Sequence, residues 1–191
     1  MMDDRRGGGP GAMGMRGDLP GSQNLPKLDK ALTVDTAKER VVTALKDWGY
    51  AELAVDTGVA YEGDFYVVAK DKASGKPALE LYVDADYGTV TAAGVAGWNT
   101  KYGRSLAWPL ASGKSITADE AKKLAQDWID RSRTTVKYEL KVVELPGYFS
   151  IQLYDAGKLS GLVAVNAYTS QVWYRGSRGG RFTAVAGSTE G

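Results

Sequence analysis

The chain has 191 residues, with 24 basic and 23 acidic residues, and it contains neither cysteine nor histidine. A net charge of +1 excludes a general electrostatic attraction to nucleic acid or anionic membranes. The missing residue types exclude disulfides, thiolate metal sites, serine–histidine triads and most transition-metal catalysis. Catalysis by carboxylates, lysine or tyrosine stays open, but no convincing carboxylate pair is visible. We therefore expect no cofactor and no enzymatic activity.

Residues 1–30 are predicted to form an extended tail, because glycine and proline are concentrated there. Such a segment cannot bury enough apolar surface to offset its ordering entropy. It lacks the apolar centre of a secretory signal. Either the protein is cytosolic, or the numbering begins after a leader was removed.

All four methionines lie in this tail, and Met13 and Met15 are separated by one glycine. Thioether sulfurs are soft ligands that suit Cu(I), so Met13 and Met15 form a candidate copper site. The alternative is that these side chains pack against the surface of a partner.

A first unit is predicted at 31–97. Its helix covers about 34–48, where apolar residues recur at steps of three and four, with Thr33 as N-cap and Gly49 as C-terminal stop. Strands follow at about 52–60, 64–70, 78–84 and 89–93. Asp84 and Asp86 lack the late glutamate of a calcium loop, which favours a polar turn.

Residues 98–114 are predicted to link two units, and they contain the aromatic residues Trp98, Tyr102 and Trp108. These side chains either hold the units together or form an exposed patch that binds another protein. No apolar run here or elsewhere approaches the roughly 20 residues of a membrane-spanning helix.

A second unit is predicted at 115–176. Its helix covers about 118–131, and Thr117 with Glu120 has the spacing of a capping box. The alternation of apolar and polar residues over 136–142 predicts a half-buried strand, and 149–154 alternates in the same way. Further strands are predicted at about 159–165 and 171–174.

Arginines mark the end of the chain, where Arg175, Arg178 and Arg181 lie among glycines and aromatic residues. Similar stretches bind single-stranded nucleic acid, but the balanced charge of the chain argues against that role. We expect a solvated or subunit-contacting tail, which includes residues 177–191.

The two units repeat one another. Thr33, Asp35 and Ala37 match Thr117, Asp119 and Ala121 at an offset of 84. The pair Phe65-Tyr66 matches Tyr148-Phe149 at 83, and Val83-Asp84 matches Val165-Asn166 at 82. The predicted fold class is therefore α+β, with two tandem copies of a helix packed on a small antiparallel β-sheet.

This pattern resembles the PepSY domain. The residues that carry the resemblance are Thr117, Asp119, Glu120, Ala121, Tyr148, Phe149, Val165, Asn166 and Val172, with Val83, Asp84, Ala85, Gly88 and Val90 in the first copy. The stretch Trp98-Asn99-Thr100-Lys101-Tyr102-Gly103 is similar to a segment of exported bacterial PepSY-like proteins with Gly- and Met-rich tails. Copy two departs from the pattern at Asn166 and Ser170.

The resemblance implies an extracytoplasmic protein, from which any signal peptide has been removed, and binding or inhibition in place of catalysis. Two sheets with free edges and a long tail lead to a first hypothesis, a structural subunit that pairs with copies of itself. The alternatives are a soluble PepSY-type binding or peptidase-inhibitory module with another exported protein as partner, and copper handling through Met13 and Met15.

Overall fold

The computed structural model describes residues 26–103, 113–132 and 134–175. The first half contains helix α1 (Val34–Asp47) and strands β1 (Leu53–Tyr61), β2 (Asp64–Asp71), β3 (Pro77–Val83) and β4 (Val90–Ala92). A 3-10 helix, Gly94–Trp98, follows. The second half contains α2 (Ala118–Arg131), β5 (Glu139–Leu145), β6 (Tyr148–Asp155), β7 (Lys158–Asn166) and β8 (Val172–Arg175).

Each half is a helix on a four-stranded antiparallel sheet, with strand orders β1-β2-β3-β4 and β5-β6-β7-β8. The predicted α+β class with a helix and small sheet in each half is confirmed. No helix in the described ranges is both long and apolar enough to cross a membrane.

The helices begin where the sequence predicts, because their caps are local. The Thr33 side chain accepts from the Thr36 amide at 3.2 Å, and the Thr117 side chain accepts from the Glu120 amide at 3.2 Å. Glu120 accepts in return from the Thr117 amide at 2.6 Å, which completes the capping box. Gly49, with φ of +84°, follows the end of α1 as a left-handed stop.

The predicted start of the first strand in the second half is wrong. Residues 136–138 form no strand in the structure, and β5 begins at Glu139. The alternation continues through these residues, but β6 ends at Asp155, one residue past the partner of Glu139, so residues 136–137 have no β6 residue opposite them.

The two sheets pack face to face, so the molecule has four layers, helix–sheet–sheet–helix. In each half, the helix packs on one face of the sheet. In the first half, for example, Phe65 and Val67 of β2 pack against α1. The other faces meet in shared clusters, in which Tyr66 and Val68 contact Leu159 and Leu162. Strand β1 contacts β7 and β3 contacts β5, so an approximate two-fold axis relates the halves.

The structure corrects one step of the predicted repeat alignment. Phe65 pairs with Val83 and Phe149 pairs with Val165, so Phe65 corresponds to Phe149 at an offset of 84, not 83. Both phenylalanines face their helices. Because strand side chains alternate faces, the predicted match of Phe65 to Tyr148 joined residues on opposite faces of the two sheets. The offset then drops to 82, because four residues (72–75) join Asp71 to its partner Lys76, whereas two residues (156–157) join Asp155 to Lys158.

Candidate functional site

A buried polar cluster lies between the two sheets. Glu80 of β3 is 0% exposed and Arg175 of β8 is 3% exposed. Arg175 Nη1 donates to Glu80 Oε2 at 2.8 Å, and Nη2 donates to Oε1 at 2.9 Å. This is the bidentate geometry in which a guanidinium binds a carboxylate most strongly. The pair joins the first half to the second through their interiors.

Side chains from both sheets complete the cluster. The Tyr148 hydroxyl donates to Glu80 Oε2 at 2.9 Å, and the Tyr66 hydroxyl donates to Oε1. Arg175 Nη2 also donates to the Ser150 hydroxyl oxygen. The carboxylate therefore has donors on both oxygens, which is what a buried charge requires.

The charges in this cluster stabilise one another. Burial alone would raise the pKa of Glu80, but the charge of Arg175 and the hydrogen bonds with Arg175, Ser150 and Tyr66 together hold that pKa below its ordinary value. Burial and the Glu80 charge raise the pKa of the Tyr66 and Tyr148 hydroxyls well above the ordinary value. Glu80 is thus ionised and the tyrosines are neutral donors, which does not suit a proton-transfer site.

A comparison of equivalent positions in the two copies shows that this cluster needs one residue from each half. Val68 pairs with Glu80, and the corresponding Gln152 pairs with Leu162, so Leu162 occupies the place of Glu80 in copy two. Arg175 pairs with Leu162, and the Ala93 amide bonds to the Glu80 carbonyl at 2.9 Å. Ala93 therefore corresponds to Arg175. Each half supplies one charge, and neither supplies both.

A second polar cluster lies at the mouth of a cleft between the halves. Asp71 Oδ2 accepts from the Tyr102 hydroxyl at 2.7 Å and from Lys101 Nζ at 2.9 Å. Asp71 Oδ1 accepts from the amides of Ala73 and Ser74, at 3.0 and 2.9 Å. The carboxylate closes the β2–β3 turn and ties it to the segment after the 3-10 helix.

The cleft has a volume of about 440 Å³ and is lined by both halves. Charged side chains of both signs reach it. The polar residues that line it include Asp71, Lys76, Lys101, Ser115, Glu144 and Tyr168. A mixed-charge cleft of this kind can hold a polar segment of another chain, with hydrogen-bond partners of both types available.

The hydrogen bond from Tyr102, with those from Lys101 and Ser74, holds the pKa of Asp71 well below its ordinary value of about 3.9. A depressed folded-state pKa gives stability that is present above the unfolded value and is lost as the pH falls through the folded value. Asp71→Asn is therefore expected to lower stability at neutral pH and to reduce the loss of stability below about pH 4. Urea midpoints at neutral and acid pH measure both effects.

Asp155→Asn, at an exposed position on β6, is the matched control for that experiment. It removes the same charge without removing the turn. If Asp71→Asn and Asp155→Asn change the acid dependence equally, the hydrogen bonds of Asp71 do not contribute to it.

Two of the predicted linker aromatics are buried. Trp98 lies edge-on to Trp173 of β8, with ring centroids 5.2 Å apart, and to Tyr148 at 6.5 Å. Tyr102 packs in the core of the first half, and its carbonyl accepts from the Tyr50 hydroxyl at 3.0 Å. Of the two roles that the sequence left open for Trp98 and Tyr102, the structure therefore supports internal packing. Trp108 lies outside the described residues.

Arg175 does not lie in a solvated tail. The prediction of a solvated or subunit-contacting position was wrong for this residue, because β8 continues through it and turns its side chain into the space between the sheets. Arg178, Arg181, Met13 and Met15 lie outside the described residues.

Sequence reasoning missed Glu80, Tyr66, Ser150 and Gln152 as functional positions. One signal was available for Glu80, which interrupts the otherwise apolar strand Pro77–Val83. A charge in such a strand requires a buried partner. Ser150 and Gln152 alternate with apolar residues and therefore look solvent-facing, although they are 0% and 8% exposed.

Asp84 and Asn166 close the equivalent turns of the two copies with the same hydrogen bonds. Asp84 Oδ1 accepts from the amides of Asp86 and Tyr87, and Asn166 Oδ1 accepts from those of Tyr168 and Thr169, all at 2.8–2.9 Å. A turn-closing role needs only a side-chain oxygen, which both residue types supply. This geometry agrees with the polar-turn interpretation of the sequence.

The outer strands leave edges without a pairing strand in the part of the chain that the structure describes. These strands are β1 and β4 in the first sheet and β5 and β8 in the second. Strand β1 carries a bulge between Val55 and Thr57, whereas β5 pairs with β6 along its whole length without a register shift. The two long edges are therefore different surfaces.

No protein-family model and no curated protein matches this chain. Among solved structures, it is similar to the Bacillus megaterium YpeB C-terminal domain, with 14% sequence identity and a TM-score of 0.34. The likeness covers 81% of this chain and 70% of that one. That domain is from a PepSY-containing protein, and the similarity is weak.

Proposed function

We propose that this chain is a non-enzymatic extracytoplasmic protein, a structural subunit that assembles with copies of itself through its N-terminal tail and its sheet edges. The observation that carries the proposal is the unpaired outer edge of β1 and of β5 within the described residues. Unpaired backbone N–H and C=O groups bind another strand with a full ladder of hydrogen bonds.

Both faces of each sheet are covered within the molecule, whereas the outer edges of the sheets are not paired in the described residues. The helix-facing side of each sheet is covered by its helix, and the opposite sides cover one another. The buried ion pair of Glu80 and Arg175 joins the two halves. Asp71 is used to close a turn and hold Lys101 and Tyr102. These roles are structural, and they support a function in assembly.

The N-terminal tail is anchored near the first sheet. The Leu28 amide donates to the Asp86 carbonyl at 2.8 Å, and Lys27 Nζ lies 3.3 Å from Asp86 Oδ2. Residues 1–25 precede this anchor on the β3–β4 turn.

Sedimentation velocity of the full chain and of residues 26–191 tests this proposal over a wide concentration range. We expect the full chain to form oligomers whose size increases with concentration, and we expect the truncated chain to associate more weakly. Circular dichroism of both forms controls for loss of fold. If both are monomers at the highest concentration reached, the proposal is wrong.

The cleft beside Asp71 supports a second candidate, a binding module for another exported protein. Its lining from both halves and its charges of both signs fit a polar peptide segment. Capture from an extracytoplasmic fraction is expected to recover a stoichiometric partner that Lys76→Glu no longer binds. Lys158→Glu, at an exposed position outside the cleft, is the control and is expected to capture as much partner as the unchanged chain. If Lys76→Glu also captures as much, the cleft is not the binding site.

A further inference from the structure

The outer edge of β5 lacks the protection that its counterpart β1 has. In β1 the bulge at Asp56 interrupts the ladder, and Asp56 is held by Lys70 at 2.8 Å. Bulges of this kind twist an edge away from incoming strands. All seven residues of β5 pair with β6 in an uninterrupted register, so no bulge interrupts this edge.

The chain directly before β5 is not paired with another strand in the part of the chain that the structure describes. Residues 134–138 have no strand partner among the described residues, and Val136 is 37% exposed. Residues 136–138 continue the alternation of apolar and polar residues that Glu139, Leu140 and Lys141 show in β5.

The sequence of this segment is self-complementary about Leu140. In an antiparallel pair with a two-fold axis at Leu140, Glu139 stands opposite Lys141 of the second copy, and Lys141 stands opposite its Glu139. Tyr138 then stands opposite Val142. Opposite charges at facing positions stabilise a strand pair, and like charges destabilise it.

Neighbouring registers that keep the same faces are unfavourable. Moving the axis to Lys141 places two lysines opposite each other, and moving it to Glu139 places two glutamates opposite each other. A shift of one residue turns the apolar side chains to the wrong face. The side chains of Glu139 and Lys141 are 66% and 53% exposed, so both are accessible to a second chain.

We propose that β5 pairs antiparallel with β5 of a second copy, with Leu140 on the two-fold axis, so that the second sheets of two molecules become one continuous sheet. The contact is isologous, since each copy offers the same surface. This inference rests on the proposed function, for which it names one surface and its partner.

Charge reversal on the full chain tests the register. Lys141→Glu and Glu139→Lys are each expected to weaken association about tenfold or more, because two facing opposite-charge pairs become two like-charge pairs. The double variant, with both substitutions, restores facing opposite charges and is expected to associate as the unchanged chain does. Asp56→Lys on the bulged edge is the matched control, and it is expected to leave association unchanged.

Sedimentation equilibrium gives the association constants, and thermal unfolding confirms that each variant is folded. Oligomers that are insensitive to both single substitutions, or that the double variant fails to restore, overturn the β5 contact and leave the proposed assembly standing. A chain that stays monomeric overturns both. Equal weakening by Asp56→Lys places the contact on the other edge and also overturns the inference.

Discussion

Glu80→Leu is expected to lower the free energy of unfolding by about 3–5 kcal/mol, because it leaves a buried arginine without its counter-charge. Arg175 is 3% exposed, and its two Nη atoms donate to the two Glu80 oxygens. The Tyr66 and Tyr148 hydroxyls lose their acceptor at the same time. Urea unfolding followed by circular dichroism measures the loss.

A double-mutant cycle separates the pair from its surroundings. Arg175→Ala leaves a buried carboxylate and is expected to destabilise by a similar amount. Glu80→Leu with Arg175→Ala removes both charges and introduces the residues that the repeat itself has at Leu162 and Ala93. We expect the double variant to lose less stability than the sum of the two single variants. Additive losses would show that the two side chains are not coupled.

Glu80 is present only in the first half and Arg175 only in the second, so the ion pair determines which halves pack together. A buried ion pair is often no more stabilising than apolar residues of the same volume. However, a pair of first halves would bury Glu80 opposite alanine, and a pair of second halves would bury Arg175 opposite leucine. Both arrangements leave an uncompensated charge. The cluster therefore selects the pairing of a first half with a second half, which is how the halves are packed here.

The sequence predicts the parts of this fold that depend on near neighbours. Thr117 and Glu120 are three residues apart, and the capping box that they form needs nothing from the rest of the chain. Helix α2 therefore begins and ends at the predicted residues. The alternation that predicts β6 is also local, and β6 and β7 both lie within two residues of the prediction.

The sequence does not predict how the two sheets meet. Arg175 and Glu80 are 95 residues apart, and the short periods of a helix or strand contain no information about such a pair. The buried Ser150 shows the same limit, because a polar residue at alternate positions normally faces water. Its burial follows from the first sheet, which covers it. The cleft beside Asp71 depends on the same docking and was not predicted for that reason.

Gly147→Ala is expected to destabilise the protein by about 2–5 kcal/mol, from an unfavourable backbone and a steric clash together. Gly147 has φ of +91°, where residues with a Cβ are strained. An added Cβ would lie 2.2 Å from the Trp98 carbonyl oxygen, which is backbone and cannot rotate away. The Thr100 amide also donates to the Pro146 carbonyl at 3.1 Å, so this turn of the second half holds the segment after the 3-10 helix.

Gly157→Ala is the matched control, because it separates the two causes. Gly157 has φ of +79°, but an added Cβ there meets no atom within 4 Å, so only the backbone cost of about 1–2 kcal/mol applies. We expect Gly147→Ala to shift tryptophan fluorescence as well, since displacing Trp98 disturbs its contacts with Trp173 and Tyr148. Equal losses in the two variants, with unchanged fluorescence, would mean that the Pro146-Gly147 turn does not hold the halves together. A larger loss at Gly147, which we expect, would show that this turn holds the two halves together. It would then be a second such contact, in addition to the Glu80–Arg175 pair.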